Sequence, residues 1–142
     1  MDNYDQLLLK NQLCFPLYAA SKALIRKYDP FLKPLGLTYT QYIVMLAMWE
    51  KRKCDVKELG EAVCLDSGTL SPLLDKLVTK GLLSKTRLSD ARYREIALTE
   101  KGAALREDAK GIPASVGYCL GLSEEEAKEL YRLTYKTLEN LQ

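Results

Sequence analysis

The sequence contains no histidine. That absence removes Ser-His-Asp and Cys-His catalysis, and with them every imidazole metal site. Nor is there a Cys-x-x-Cys pair: the four cysteines stand at 14, 54, 64 and 119, so a zinc site would have to gather thiolates from scattered places. Long apolar runs are missing as well. The longest, Ile43–Trp49, is seven residues, against ~20 for a membrane span. The opening MDNYDQLLLKNQ has neither the basic start nor the apolar centre of a signal peptide. The chain is therefore expected in the cytoplasm, with no membrane partner and with reduced thiols unless one of them is a redox device. Charge is nearly balanced, 21 Lys and Arg against 19 Asp and Glu, so the global sum of +2 points to no partner. There is no internal repeat and no low-complexity tract.

What is present is ordinary for a folded domain: 142 residues, 47% apolar and 28% charged, enough for one core. Most of the chain reads as helix. Leu9, Leu13, Leu17, Ala20 and Leu24 recur at helical spacing between about Gln6 and Tyr28, with Pro16 placing a helix start or kink near Cys14. Asp29-Pro30, Lys33-Pro34 and Gly36 read as a connector, after which Thr40 is expected to cap a helix running through Trp49. Asp55 with Glu58 opens DVKELGEAV, and Asp66 or Ser67 caps a following helix whose Leu70, Leu73, Leu74 and Leu77 form one apolar face. Gly81 is its stop. Two helices joined by so short a turn form a helix-turn-helix.

Beyond Gly81 the period changes. LLSKTRL and YREIAL alternate like strands around the polar tip Ser89–Arg92, a hairpin. Thr99 caps another helix to about Gly111, and Ser123 with Glu126 is a capping box opening a last one that carries Ala127, Leu130, Tyr131, Leu138 and Leu141. The expected fold is mainly α with a small β-hairpin wing, a winged helix-turn-helix in a single domain. The reading unit occupies about 52–101, and helices at about 5–35 and 103–142 flank it with more apolar surface than one small core requires. Those flanking helices are expected to interlock with a twin's to form a homodimer.

Charge concentrates on the reading unit. Lys76, Lys80, Lys85, Arg87, Arg92 and Arg94 face one acid, Asp90, giving +5 over 76–94 and −3 over the rest. That is the electrostatic footprint expected for double-stranded DNA. On the second helix, Ser67, Gly68, Thr69, Ser71 and Pro72 lie off the apolar face and can meet base edges, while Lys76 and Lys80 suit phosphates. Two such units, spaced by about one helical turn of DNA, would read a pseudo-palindromic operator.

The stretch from Val56 to Gly102 resembles the MarR family of bacterial repressors, with Asp90-x-Arg92 and Leu98-Thr99-x-x-Gly102 as the hallmarks of its wing. Within that family, NQLCFPLYAASKALIRKY, LTYTQYIVMLAMWE and LDSGTLSPLL look like the organic-hydroperoxide sensors, the OhrR branch. The resemblance implies a non-enzymatic repressor without a cofactor, released from its operator when an organic hydroperoxide oxidises Cys14. It places Arg92 in the minor groove with Asp90 steadying it, and Tyr28 and Tyr39 as hydrogen-bond donors to the Cys14 sulfur. It also marks Cys119 as a resolving cysteine that would pair with Cys14 of the other chain, the competing outcome being a mixed disulfide with a small cellular thiol.

Chemistry agrees on Cys14. The thiolate attacks peroxide, and a helix N-terminus favours an anion. If one helix joins Cys14 to Tyr28, they stand ~21 Å apart and meet only across a dimer. Leu13, Phe15, Leu17 and Tyr42 are expected to line an apolar pocket beside the sulfur, and Cys54 and Cys64 to fill core space. Two other readings stay open: a MarR-type repressor released by a small aromatic ligand, and a thiol peroxidase.

Overall fold

The computed structural model describes residues 4–87 and 94–142. Two short 3-10 turns at Asp5–Leu7 and Leu9–Asn11 lead into helix α1, Cys14–Leu32. Continuous helix thus starts at Cys14, where Pro16 marked a start or kink, and Pro16 falls in the first turn, where a missing N–H costs nothing. At the other end Asp29 and Pro30 of the expected connector are instead helix, while Lys33–Gly36 is the connector. α1 runs through Pro30 because Leu32, 1% exposed, anchors the final turn in the core. The turn Lys33–Leu35 and Gly36, at φ +69°, then reverse the chain.

Helix α2, Tyr39–Lys51, is capped by Thr38 and not by Thr40. Thr38 Oγ1 accepts from the Gln41 N–H, and the Thr38 N–H donates back to Gln41 Oε1. A three-residue strand β1, Lys53–Asp55, follows. It is too short to show a period and had no signal in the sequence. Helix α3, Val56–Val63, and helix α4, Ser67–Thr79, are capped by Asp55 and Asp66, each accepting from a backbone N–H three residues on. The turn between them starts at Cys64, in the left-handed region at φ +56°. Gly81, at φ +77°, ends the unit.

Strands β2, Leu83–Arg87, and β3, Arg94–Leu98, pair antiparallel in register Leu83↔Leu98 to Arg87↔Arg94, and β1 joins the far edge of β3. The hairpin tip, with Asp90 and Arg92, lies outside the described residues. Thr99 caps helix α5, Glu100–Ala109, by accepting from the Gly102 N–H at 3.0 Å. A Cβ on Gly102 would stand 2.1 Å from the Leu82 carbonyl oxygen, so only glycine lets α5 seat against the sheet. A short helix α6, Ile112–Gly117, follows, in a stretch for which the sequence carried no expectation; Pro113 falls in its first turn. Ile112 and Val116, both buried, hold it on the core. Ser123 and Glu126 form the expected capping box at the start of helix α7, Glu124–Leu141.

One core joins α2–α4, the sheet and the inner turn of α1. Val44, Met45, Leu59, Leu74, Leu77 and Ile96 have no exposed surface. Trp49 closes it by donating its indole N–H to the Gly102 carbonyl at 2.8 Å. Among the described residues no helix is long and apolar enough to cross a membrane.

Candidate nucleic-acid interface and thiol site

Helix α4 has two faces. Leu70, Leu73, Leu74 and Leu77 are buried, whereas Ser67, Gly68, Thr69, Pro72 and Lys76 are exposed and Ser71 is half-buried. The side chains suited to base edges therefore line the open side of a helix whose other side is fixed in the core. Lys85 of β2 bonds Asp75 of α4 at 3.2 Å, tying wing to helix. Arg87 and Arg94 stand directly opposite each other across β2 and β3, and with Lys85 they surround one shallow notch. Like charges placed opposite on neighbouring strands repel, and an anion such as a DNA phosphate would relieve that repulsion. Lys80 differs from Lys76: its ammonium donates within the chain, to the Gly36 carbonyl and to Gln41 Oε1.

The chain belongs to this class by descent as well as by shape. A family model described as transcriptional regulator SarA/Rot matches residues 26–109. The organic hydroperoxide resistance transcriptional regulator of Bacillus subtilis is 43% identical over 146 aligned positions, covering 99% of this chain and 97% of the relative. This protein is a MarR-type regulator of the OhrR branch. Among solved structures of the family, the AbfR protein known from Staphylococcus epidermidis is similar in its overoxidised, DNA-bound form, with 32% identity, a TM-score of 0.77 and coverage of 97% of this chain and 98% of that one. Its disulfide form is less similar in shape, with a TM-score of 0.65 at 34% identity over 96% and 94%. MarR of E. coli, in its apo form, matches with a TM-score of 0.71 at 25% identity over 89% and 96%.

Against this family frame the thiols separate sharply. Cys14 is exposed and is the first residue of α1. Tyr18, one turn on, is exposed too, with Lys22 Nζ 5.0 Å above its ring. Cys119 is exposed in the turn after α6, its Sγ 3.8 Å from the Ser115 carbonyl. Cys54 fills core space as expected, its Sγ 3.7 Å from Met48 Sδ. Cys64 does not: it is exposed on the helix-turn-helix turn, where the Gln142 side-chain amide donates to its Sγ at 3.1 Å.

Tyr28 and Tyr39 do come together, with ring centroids 5.0 Å apart, and Tyr42 joins them at 5.6 Å from Tyr28. Burial pushes all three phenols above their ordinary value of 10.0, helped for Tyr39 by Tyr28 and for Tyr42 by both neighbours. Their hydroxyls thus stay protonated donors through the physiological range. No hydrogen bond among the described residues engages them. The cluster is not beside Cys14 of the same chain, because α1 is continuous and Cys14 and Tyr28 stand ~21 Å apart along it. The expected pocket is likewise not assembled within one chain: Leu13, Phe15 and Leu17 are exposed near the start of α1, whereas Tyr42 is buried with the tyrosines. Tyr42, expected only as a pocket-lining residue, instead packs as the third ring of the tyrosine cluster.

Proposed function

We propose that this protein is a homodimeric repressor that binds double-stranded DNA at a pseudo-palindromic operator and senses organic hydroperoxides through Cys14. The observation that carries the reading is the unbroken helix from Cys14 to Leu32. It puts an exposed thiol at one end and, at the other, a tyrosine cluster whose hydroxyls no hydrogen bond among the described residues engages, so a second copy packed antiparallel brings each sulfur to its partner's Tyr28 and Tyr39. The exposed apolar side chains of both ends supply the surface for that packing. α7 buries none of its residues in a single chain, and Leu13, Leu17, Leu130, Leu133 and Leu138 are all exposed.

In the chemical step the Cys14 thiolate attacks the outer peroxide oxygen. The O–O bond breaks, sulfur is oxidised by two electrons to the sulfenic acid, and the alcohol leaves after taking a proton. A second thiol then condenses with it, forming an S–S bond and releasing water. Cys119 of the other chain or a small cellular thiol serves as that partner. Sulfur so capped no longer accepts the tyrosine hydrogen bonds, and the two reading units lose their common spacing. That AbfR, a relative in this family, has been solved both on DNA and in a disulfide form supports the sequence of states. On the DNA side, Ser67, Gly68, Thr69, Ser71 and Pro72 read bases, while Lys76, Arg87 and Arg94 meet phosphates and Asp90 and Arg92 serve the minor groove.

The test is a gel shift with the protein's own upstream DNA, with and without cumene hydroperoxide. Wild type is expected to lose 5- to 150-fold in affinity, the usual range of allosteric coupling, and Cys14→Ser to lose none. Release of both proteins by a non-oxidising aromatic ligand would overturn the reading. Mass under non-reducing conditions separates a covalent dimer through Cys119 from a small added thiol.

A further inference from the structure

Lys80 closes α4, and its carbonyl accepts from Lys101 Nζ at 2.8 Å. Its own ammonium reaches back to the approach to α2, donating to the Gly36 carbonyl and, at 2.9 Å, to Gln41 Oε1. Gln41 is 4% exposed, the one buried polar side chain among the described residues. The same Oε1 accepts from the Thr38 N–H at 3.1 Å, the bond that starts α2. The first residue of α2 is Tyr39, whose ring lies 5.0 Å from Tyr28. One cation therefore spans the helix that carries Ser67–Lys76 and the turn that starts at a tyrosine of the Tyr28–Tyr39–Tyr42 cluster. To meet a phosphate, Lys80 would have to leave two carbonyl-type oxygens, one of them buried.

We propose that Lys80 is a positioning residue rather than a phosphate contact. It holds the first turn of α2 to the end of α4, so that a displacement of Tyr39 when sulfur is oxidised reaches the recognition helix through Gln41 and Lys80. This rests on the peroxide-sensing reading above. The link is short, two side chains between sensor and reader, and it runs within one chain. Coupling through it requires only that α2's first turn and α4 move as one body.

The full-length protein carrying Lys80→Met is compared with Lys76→Met and wild type by four readouts. These are the salt slope of operator affinity in the reduced state, the rate of Cys14 oxidation by mass, the fold-release by cumene hydroperoxide, and amide exchange over residues 38–42. Lys76→Met is expected to flatten the log–log salt slope by about 0.9, the value of one lost phosphate contact, and to keep its fold-release. Lys80→Met is expected to keep the slope and the oxidation rate, to lose most of the fold-release, and to speed exchange at 38–42 at least tenfold. A flattened slope with full release, or unchanged exchange, overturns the proposal. If wild type is not released by peroxide, the sensing reading fails on its own, while slope and exchange still decide whether Lys80 is a tether. Should Lys80→Met fail to fold, Gln41→Glu keeps both acceptor roles and places a charge opposite Lys80. It is expected to slow exchange at 38–42, and faster exchange there overturns the tether.

Discussion

Between Leu37 and Leu83 the chain closes its own core, whereas its two ends leave theirs open. In the first region every leucine facing inward from α4 is buried, and the helix starts are locked by Thr38, Asp55 and Asp66 through specific backbone bonds. In the second, Leu7, Leu13, Leu17, Leu130, Leu133 and Leu138 are between 41% and 78% exposed. α7 has a complete capping box and buries nothing. Exposed apolar patches of this extent mark an interaction surface. The reading unit is thus specified by intrachain packing, while α7 and the apolar start of α1 present faces that the chain itself does not cover.

The sharpest way to break that contrast is to charge the open face. Leu130→Asp with Leu138→Asp is expected to yield a folded monomer by sedimentation, with operator affinity reduced about 10³-fold, toward the non-specific level. A dimer that survives the double change would place the interface elsewhere. The reverse test is Leu74→Ala in the closed core. Deleting a fully buried leucine costs roughly 2–5 kcal/mol, so unfolding should shift strongly and independently of protein concentration. Wild-type unfolding itself should depend on concentration if the ends are completed by a second copy.

A smaller effect separates tyrosines that serve the sulfur from one that serves the core. Tyr28→Phe or Tyr39→Phe is expected to slow Cys14 oxidation about tenfold, the worth of one hydrogen bond to a charged acceptor. Tyr42→Phe, three residues further along α2 and 2% exposed, should leave the rate unchanged; equal slowing by all three would dissolve the distinction. The pH dependence follows from the raised phenols. The folded chain holds these protons to higher pH than the unfolded chain, so it binds more protons in that window. The tyrosines' contribution to stability is therefore flat below about pH 10 and falls as pH rises past it. The tyrosine effect on oxidation should be constant from pH 6 to 9.

Local signals carried most of the fold. The Ser123/Glu126 box, the Leu70–Leu77 stripe, Gly81 and the Thr99 cap all lie where their chemistry placed them, because each is decided within one turn of chain. Three features were not legible for one reason: distant packing decided them. Pro30 continues a helix because Leu32 is buried. α6 forms among glycines and a proline because Ile112 and Val116 are buried. β1 exists only because β3 offers it an edge. Thr38 was legible but misread, since Thr-x-x-Gln from 38 to 41 is itself a capping-box pattern and Thr40 was the nearer-looking cap. At the site, the pairing of Tyr28 with Tyr39 was readable from family spacing, whereas Lys80's engagement with Gln41 joins positions 39 residues apart, which no local pattern reports.

The two cysteines bracketing α3 give the finest comparison of closed and open surface. Both looked like core filler, being small and free in a helical context. Cys54 is 6% exposed, and burial, with Glu58 adding to it, pushes its thiol above 9.0. Cys64, ten residues on, sits in the left-handed region on an exposed turn. A thiol that is both shielded and protonated reacts slowly with an alkylating reagent. At neutral pH in the native protein, iodoacetamide should therefore label Cys64 and leave Cys54 untouched until denaturant is added, as read by peptide mass. Because labelling of Cys54 requires opening of the β1–β3 edge, its rate should track global unfolding and rise in Leu74→Ala in proportion to the stability lost. Labelling of Cys54 as fast as Cys64 in folded protein would show that the closed core opens locally at β1.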